Sequence, residues 1–269
     1  MAMLGNKNEK AFWEKDGAVA WVYLNDPSSR NSLGSAVAEA VVKTIAEIEA
    51  DDEINVVCLS GTDPVSFCSG NNLKELAGLV PPATKTTTGD LHNAFRNCTR
   101  PVIAVIHGYC VGGGISLLRN CDLAIAADDA VFGLPEVVRG YPPGRALGEV
   151  IHTIPSKWAY DLAMSGRNWT AQRALQAGLI SRIAPKAELR EQAQKWAADM
   201  ATFPPGSLRA TKAVMQKIEN ILPRDERVAM NSSGYARDES VVPGIVGDGK
   251  NSIRAFFRHE EDSKARDLV

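Results

Sequence analysis

The sequence lacks a strong excess of charge of either sign, and it lacks a long apolar run. A net charge of -2 at pH 7 provides no basic field that would attract nucleic acid. No apolar run reaches the roughly 20 residues that a membrane-spanning helix needs. We therefore expect neither nucleic acid nor a membrane as a partner. The length of 269 residues suffices for one large domain.

Targeting signals and paired cysteines are also missing. The N-terminal segment has no apolar signal core and carries Glu9, and residues 267–269 are not a peroxisomal address. These features predict a cytoplasmic location. Cysteines are few, odd in number and mostly within apolar runs, which predicts reduced core thiols and no zinc site. They are Cys58, Cys68, Cys98, Cys110 and Cys121.

Two common classes of catalytic signature are absent. The sequence has no phosphate-binding loop, and the glycines at 112–114 do not have the spacing of a dinucleotide fingerprint. A serine hydrolase would need Ser69 or Ser116 as nucleophile, but neither lies in a Gly-x-Ser-x-Gly motif. His107 lies within an apolar β-like run, so a catalytic triad is not expected.

Three consecutive glycines, Gly112 to Gly114, follow an apolar run at 101–107. Each glycine costs about 1 kcal/mol relative to alanine inside a helix, so packing does not explain the run. We expect a helix from Ile115 to Asn120, with free N–H groups at its positive N-terminal end. This pattern indicates an anion or oxyanion site; the alternative is a tight strand-to-helix turn without a ligand.

A second glycine corner lies upstream at 66–76, after a β-like run at 55–60. Two such corners can direct two N–H groups at one oxygen atom. Proteins use a pair of backbone donors to stabilise a thioester carbonyl as it becomes an enolate.

The first half alternates β-like runs with helical segments. Strands are predicted at 19–24, 55–60 and 101–107, and an amphipathic helix at 35–50. This alternation predicts an α/β protein with a largely parallel sheet. From residue 159 the pattern is helical, with Thr170 as an N-cap and Gly178 as a helix end. The segment 80–89 is predicted to be either a mobile loop over the site or an inert surface loop.

Four segments together resemble the crotonase, or enoyl-CoA hydratase/isomerase, family: 24–33, 67–74, 101–122 and 132–136. The resemblance implies stacked ββα repeats in a core at 1–200, and a C-terminal helical region at 201–269 for trimerisation and for covering the site. It also implies an acyl-CoA thioester as substrate, with coenzyme A as part of the substrate and no permanent cofactor or metal. A homotrimer or a dimer of trimers is the implied assembly.

The resemblance also assigns catalytic positions. The N–H groups of Asn71 and Gly113 fall where the family has its oxyanion hole. Of the two glutamates that hold water in the family's hydratases, the first is replaced by Ser116 and the second is kept as Glu136. A carboxyl group at the edge of an apolar pocket has a raised pKa, which suits proton transfer near neutral pH. Should Glu136 not serve, Asp122 and Glu149 are the next carboxylates.

Within the family, the pattern resembles the hydroxycinnamoyl-CoA hydratase-lyases, which have a serine after the glycine turn and a lone glutamate before a Gly-x-Pro-Pro-Gly turn. That turn is 140–144 here and brings Gly144 to the substrate site. Tyr235 falls near the tyrosine that receives the substrate phenol. Leu76 replaces a second phenol-binding tyrosine, Arg139 replaces a tryptophan, and Asn72 replaces the usual aspartate of the first corner. Arg139 is suited to an anionic or polar acyl group.

The coenzyme A moiety is expected on the loop after the first strand and on the first corner. The predicted binding residues are Ser29, Arg30, Ser32, Ser69, Leu73 and Lys74, and residues 256–258 are either a cover for the adenine or ordinary helix residues. The predicted function is that of a lyase acting on acyl-CoA, either an enoyl-CoA hydratase or a hydratase-lyase. The alternatives are an enoyl-CoA isomerase with one glutamate base, an acyl-CoA thioester hydrolase, and a non-catalytic acyl-CoA-binding protein.

Overall fold

A computed structural model describes residues 2–3 and 7–221. The strands are β1 (Ala2–Met3), β2 (Ala11–Asp16), β3 (Val19–Leu24), β4 (Val56–Gly61), β5 (Ser66–Cys68), β6 (Val102–Ile106), β7 (Tyr109–Val111), β8 (Leu123–Ala127), β9 (Val131–Gly133), β10 (Trp169–Thr170) and β11 (Arg182–Ala184). The α-helices are α1 (Ser35–Glu49), α2 (Leu73–Leu76), α3 (Thr88–Asn97), α4 (Gly113–Arg119), α5 (Gly144–Val150), α6 (Ser156–Met164), α7 (Ala171–Ala177), α8 (Leu189–Ala201) and α9 (Pro205–Ile221). Short 3-10 helices lie at Pro27–Ser29, Pro135–Arg139 and Lys186–Glu188.

The strands form two sheets. The larger has the order β1-β2-β3-β4-β6-β8-β11, and the smaller has the order β10-β9-β7-β5. In the larger sheet β1, β2 and β3 pair antiparallel, and every pairing from β3 to β11 is parallel. In the smaller sheet β5, β7 and β9 pair parallel, and β10 is antiparallel. The predicted α/β class with a largely parallel sheet is therefore confirmed.

Pairs of consecutive strands divide between the two sheets. In β4-β5, β6-β7 and β8-β9 the first strand joins the larger sheet and the second joins the smaller one. A helix follows each pair, so the chain consists of ββα repeats, as the resemblance implied. The three-residue strands β5, β7 and β9 were not predicted, because three residues are too few for a periodic pattern.

One core connects the larger sheet, the smaller sheet and the helices. Helix α1 buries Val37, Val41, Ile45 and Ile48 along one face, the spacing expected of an amphipathic helix. Fully burying side chains of this size contributes about 1.5–3 kcal/mol each. All five cysteines are free and buried, which confirms the prediction of reduced core thiols.

Helix boundaries confirm some predictions and correct others. Thr170 caps α7, and Gly178 ends it with φ +79°. Helix α4 begins at Gly113 rather than at Ile115, because two of the three glycines lie in its first turn. Helix α3 begins within the predicted loop, where Thr87 and Asp90 form a capping box.

Helix α9 packs on the core through polar side chains. Lys212 Nζ donates to the Arg100 carbonyl at 3.0 Å and to Asp122 Oδ2 at 2.7 Å. The domain boundary at residue 200 stays a prediction. Within 2–3 and 7–221, no helix combines the length and the apolar character needed to cross a membrane, and no group of three or more potential ligands could hold a metal ion.

Candidate active site

Three parallel strands of the smaller sheet end at the same edge. Strand β5 leads to Gly70 and Asn71, β7 leads to Gly112 and Gly113, and β9 leads to the 3-10 helix that carries Glu136. The ends of β7 and β9 are joined directly, since the Gly112 N–H donates to the Gly133 carbonyl at 2.9 Å. In α/β proteins the carboxyl ends of parallel strands are the usual place for a ligand.

The two glycine corners lie against each other. A β-carbon on Gly70 would lie 3.1 Å from the Val111 carbonyl oxygen and 3.3 Å from the Gly113 nitrogen. A β-carbon on Gly113 would lie 3.0 Å from the Asn71 nitrogen. Gly70 and Gly112 have φ values of +100° and +54°, which side chains rarely adopt. Glycine is therefore required at these turns both for conformation and for space.

The loop after the first 3-10 helix holds the first corner in place. The Leu33 N–H donates to the Gly70 carbonyl at 2.7 Å, and the Asn72 N–H donates to the Leu33 carbonyl at 2.9 Å. In this parallel bridge between Leu33 and Asn71, Leu33 makes both bonds, so the Asn71 N–H points away from it. The Gly113 N–H opens helix α4, where N–H groups have no partner within the helix.

Asn31 supports the same corner, and sequence reasoning did not assign it this role. Its side chain is fully buried and donates to the carbonyls of Ser66 at 3.1 Å and Phe67 at 3.2 Å. Asn31 and Arg30 both have φ of +55°. Asparagine adopts this region more readily than most residues, which is the only local signal in the sequence.

Glu136 lies beside the second corner. A β-carbon on Gly112 would lie 2.9 Å from Glu136 Oε1. Glu136 Oε2 is buried and has no hydrogen-bond partner in the described part of the chain. Burial raises the pKa of Glu136 from 4.5 to about 7, against the lowering effects of a backbone hydrogen bond and of the Arg139 charge. Glu136 can therefore hold or release a proton near neutral pH.

Three other residues predicted to be catalytic or to contact the acyl group lie on α4, on the 3-10 helix at Pro135–Arg139 and on α5. Ser116 is buried on α4, one turn after Gly113. Arg139 is half-buried at the end of the 3-10 helix, where it hydrogen-bonds Tyr141 and carries a charge that acts on Glu136. Gly144 is exposed at the first position of α5. Tyr235 and residues 256–258 lie outside the described residues.

The residues predicted to bind coenzyme A form a connected surface at the first corner. Ser69 Oγ donates to the Ser29 carbonyl at 3.0 Å, and the Ser69 N–H donates to the Arg30 carbonyl at 3.1 Å. The Ser32 N–H donates to Ser29 Oγ at 3.2 Å. Helix α2 contributes half-buried Leu73, exposed Lys74 and exposed Leu76. Its N-cap is Asn72, whose Oδ1 accepts from the N–H groups of Lys74 and Glu75.

The segment before α3 is anchored to the rest of the fold. Ser35 Oγ accepts from the Ala83 N–H at 2.7 Å, and Thr84 Oγ1 donates to the Ser35 carbonyl at 3.2 Å. Glu75 Oε2 accepts from the Ser35 N–H at 2.9 Å. These contacts connect α1, α2 and the segment at 80–87.

Comparisons with known proteins find relatives over most of the chain. The profile of the family described as enoyl-CoA hydratase/isomerase matches residues 14–240. The 2,3-dehydroadipyl-CoA hydratase of Escherichia coli K12 is 32% identical over 248 residues, which are 90% of this chain and 94% of that protein. The hydroxycinnamoyl-CoA hydratase-lyase of Pseudomonas fluorescens is 30% identical over 208 residues, which are 74% of this chain and 75% of that protein.

A solved structure is similar over most of the chain. A carnitinyl-CoA dehydratase from Mycobacterium avium 104 superposes with a TM-score of 0.74 at 27% identity, covering 88% of this chain and 95% of that one. This likeness confirms the crotonase fold that the sequence implied.

Proposed function

Because the chain belongs to the enoyl-CoA hydratase/isomerase family, we propose that it is a lyase that adds water to an enoyl-CoA thioester through an oxyanion-stabilised enolate. The observation that carries this proposal is the convergence of Asn71, Gly113 and Glu136 at one edge of the smaller sheet. Two N–H groups and one carboxyl group of raised pKa are the groups that this reaction needs.

The reaction follows from these positions. The N–H groups of Asn71 and Gly113 donate to the thioester oxygen, which makes C3 of the acyl group electrophilic. As the oxygen of water bonds to C3, the Glu136 carboxylate takes a proton from the water and the C2=C3 electrons move toward the thioester oxygen. Glu136 then returns a proton to C2 and the carbonyl re-forms, so water has been added and the carboxylate is regenerated.

The remaining roles are assigned by position. Ser116 lies one helical turn beyond the oxyanion donors and holds the water by hydrogen bonding in place of a second carboxylate. Ser29, Arg30, Ser32, Ser69, Leu73 and Lys74 hold the coenzyme A moiety. We further propose a homotrimer or dimer of trimers in the cytoplasm.

A second candidate is proton transfer along the acyl chain without addition of water, which is isomerisation. The replacement of the family's first glutamate by Ser116 favours it, since it leaves Glu136 as the one glutamate at the family's two positions and an isomerase needs a single base. Cleavage of a hydroxylated phenylpropenoyl thioester to an aldehyde is a further step open to the hydratase, and the likeness to a hydroxycinnamoyl-CoA hydratase-lyase supports including it.

Product analysis of the purified full-length chain tests these candidates. Crotonyl-CoA, 3-hexenoyl-CoA and feruloyl-CoA are incubated separately with the wild type and with Glu136→Gln, and products are separated chromatographically. We expect 3-hydroxybutyryl-CoA from crotonyl-CoA. 2-Hexenoyl-CoA without hydroxylated product would instead favour the isomerase, and release of free coenzyme A without aldehyde would favour the hydrolase. No turnover of any thioester would contradict the proposed function.

A further inference from the structure

A second polar cluster lies away from the glycine corners, between helices α3, α4 and α5. We define it as the distal cluster, formed by His92, Asn120, Arg145 and Glu149. Glu149 Oε1 accepts from Asn120 Nδ2 and from Arg145 Nε, each at 3.3 Å. Burial and then the charge of Arg145 lower the pKa of His92 to about 3, so His92 is neutral at physiological pH.

Helix α4 connects the distal cluster to the oxyanion donors. Gly113, Ser116 and Asn120 are three and then four residues apart, so they lie on one face of the helix. Asn120 bonds Glu149 on α5, which places α5 beside that face. Seven residues of helix rise about 10 Å. The distal cluster therefore lies beyond Ser116 along the same face, at a distance from Gly113 that an acyl chain of six to twelve carbons can span.

Two buried polar atoms in the distal cluster have no hydrogen-bond partner within the described ranges. Glu149 Oε2 and His92 Nδ1 are both buried and lack a hydrogen bond among the described residues. His92 is 1% exposed, and the Glu149 side chain is 13% exposed. Buried polar groups are normally hydrogen-bonded, and leaving them unpaired is costly. Both residues adjoin Arg145, which bonds Glu149 and whose charge acts on His92. An unpaired acceptor and an unpaired imidazole nitrogen beside one guanidinium group indicate a polar group that is supplied by a ligand.

We infer that the distal cluster binds a neutral hydroxyl group at the far end of the acyl chain. Glu149 Oε2 accepts a hydrogen bond from this hydroxyl group, and His92 Nδ1 is its second hydrogen-bond partner. This inference rests on the proposed function, since it names the class of acyl group that the enoyl-CoA site takes. Glu149 and His92 are then specificity-determining residues, and Asn120 and Arg145 position Glu149 through its other oxygen.

The charges of the distal cluster favour a hydroxyl group over the other acyl termini. Arg145 is already paired with Glu149 through Oε1. A carboxylate at the end of the acyl chain would therefore face the carboxyl group of Glu149 while Arg145 is already engaged. A methyl terminus would leave Oε2 and Nδ1 buried and unpaired. A hydroxyl group both donates and accepts, so it satisfies both atoms without adding charge.

The test compares matched pairs of trans-2-enoyl-CoA thioesters from six to twelve carbons, each pair ending in either a methyl or a hydroxyl group. For the wild type we expect kcat/KM to favour the hydroxyl member by about 10-fold or more at the chain length that reaches the cluster, because a site that hydrogen-bonds a substrate hydroxyl discriminates against analogues without it. Crotonyl-CoA, which is too short to reach, reports on the proposed function independently.

Variants separate specificity from structure. Glu149→Leu is expected to reduce the ratio of kcat/KM between the hydroxyl and methyl members to about one. Glu149→Gln keeps an acceptor and is expected to retain most of the wild-type ratio. His92→Leu provides a second measurement should Glu149→Leu fail to fold. Glu191→Leu, on the exposed surface of α8, is the matched control and keeps the wild-type ratio.

Three outcomes would overturn the inference. One is a wild-type ratio near one at every chain length, with crotonyl-CoA still hydrated, which leaves the proposed function standing. Another is an equal loss of kcat/KM for both members of a pair in Glu149→Leu and His92→Leu, which indicates that these residues have a structural role. The third is a preference for carboxylate-terminated thioesters, assayed at the same chain lengths, over both the methyl and the hydroxyl members. Failure to hydrate any enoyl-CoA, crotonyl-CoA included, refutes the proposed function itself and the inference with it.

Discussion

A β-carbon on Gly113 would lie 2.6 Å from the side-chain oxygen of Asn71 and 3.0 Å from its backbone nitrogen. The two corners thus approach as closely as the absence of a side chain allows. Asn71 Oδ1 is itself buried, with no hydrogen-bond partner among the residues that the structure describes, so its approach to Gly113 is a packing contact rather than a hydrogen bond. The spacing of the two N–H groups therefore depends on glycine at position 113.

Gly113→Ala is expected to separate the two corners and to lower kcat for crotonyl-CoA about 100-fold, the effect of losing one oxyanion donor. Steady-state kinetics and a thermal melt of the same preparation are the measurements. Gly206→Ala is the control, because no atom of the described residues lies within 4 Å of a β-carbon at that position. Wild-type kcat in a folded Gly113→Ala protein would show that Gly113 does not shape the oxyanion site.

Glu136→Gln is expected to lower kcat about 100-fold or more while the affinity for an acyl-CoA persists, because the amide keeps the shape of the side chain but cannot transfer a proton. In the wild type, kcat/KM should rise with pH through about 7, the pKa to which burial raises Glu136, since the ionised carboxylate takes the proton from water. Calorimetric binding and a pH–rate profile check both statements. A profile that is flat between pH 5 and 8, together with full turnover by the variant, would assign the chemistry to another group.

The same buried carboxyl group has a consequence for stability. Its pKa is about 7 in the folded state against 4.5 in the unfolded chain, so the unfolded state ionises first as pH rises. The free energy of unfolding therefore falls between pH 4.5 and 7 and is not lowered further by this group above 7. This difference in pKa corresponds to a decrease of about 3 kcal/mol in the free energy of unfolding, as an upper limit.

We therefore expect Glu136→Gln to gain stability relative to the wild type as pH rises from 4 to 8. Urea unfolding at both pH values measures this change, and the comparison between the two pH values cancels any difference in packing between the acid and the amide. A gap that is the same at pH 4 and pH 8 would mean that the pKa of Glu136 is not raised.

Sequence patterns predicted the parts of the site that lie at turns marked by glycine or proline. The glycines at 70 and 112–114 and the Pro-Glu pair at 135–136 were identifiable because conformation or chemistry demands those residue types. The strands that lead into them were missed, since β5, β7 and β9 have three residues each. Asn31 and Glu149 were not assigned their roles, because their partners lie 35 and 29 residues away and no local pattern encodes such distant contacts.

Asp122 is one of the carboxylates that the sequence offered as an alternative to Glu136, and the structure gives it a different role. Its Oδ2 lies 2.7 Å from Lys212 Nζ and accepts the Val102 N–H at 2.7 Å, so it anchors α9 and is not positioned at the glycine corners. Lys212 has a side chain that is 7% exposed, whereas that of Asp122 is 33% exposed, which weakens the pair through solvent screening.

Lys212→Met is therefore expected to destabilise the fold by about 1–3 kcal/mol, less than a fully buried pair would cost, and to leave kcat within about twofold. Urea unfolding and crotonyl-CoA kinetics are the measurements, and the double variant with Asp122→Asn gives the coupling between the two residues. A large loss of kcat in Asp122→Asn with unchanged stability would instead place Asp122 in the chemistry.

Tyr235 lies outside the described residues, and its role as a phenol-binding residue is a prediction from family resemblance. Tyr235→Phe removes one hydroxyl group and should lower kcat/KM for 4-hydroxycinnamoyl-CoA thioesters, because the substrate phenol loses its partner. The expected increase in the activation free energy is about 1–3 kcal/mol. The ratio to crotonyl-CoA isolates this effect from general damage, and aldehyde release by the wild type is measured alongside. Hydration of crotonyl-CoA without any aldehyde from feruloyl-CoA would exclude the hydratase-lyase activity, and an unchanged ratio in Tyr235→Phe would exclude Tyr235 from phenol binding.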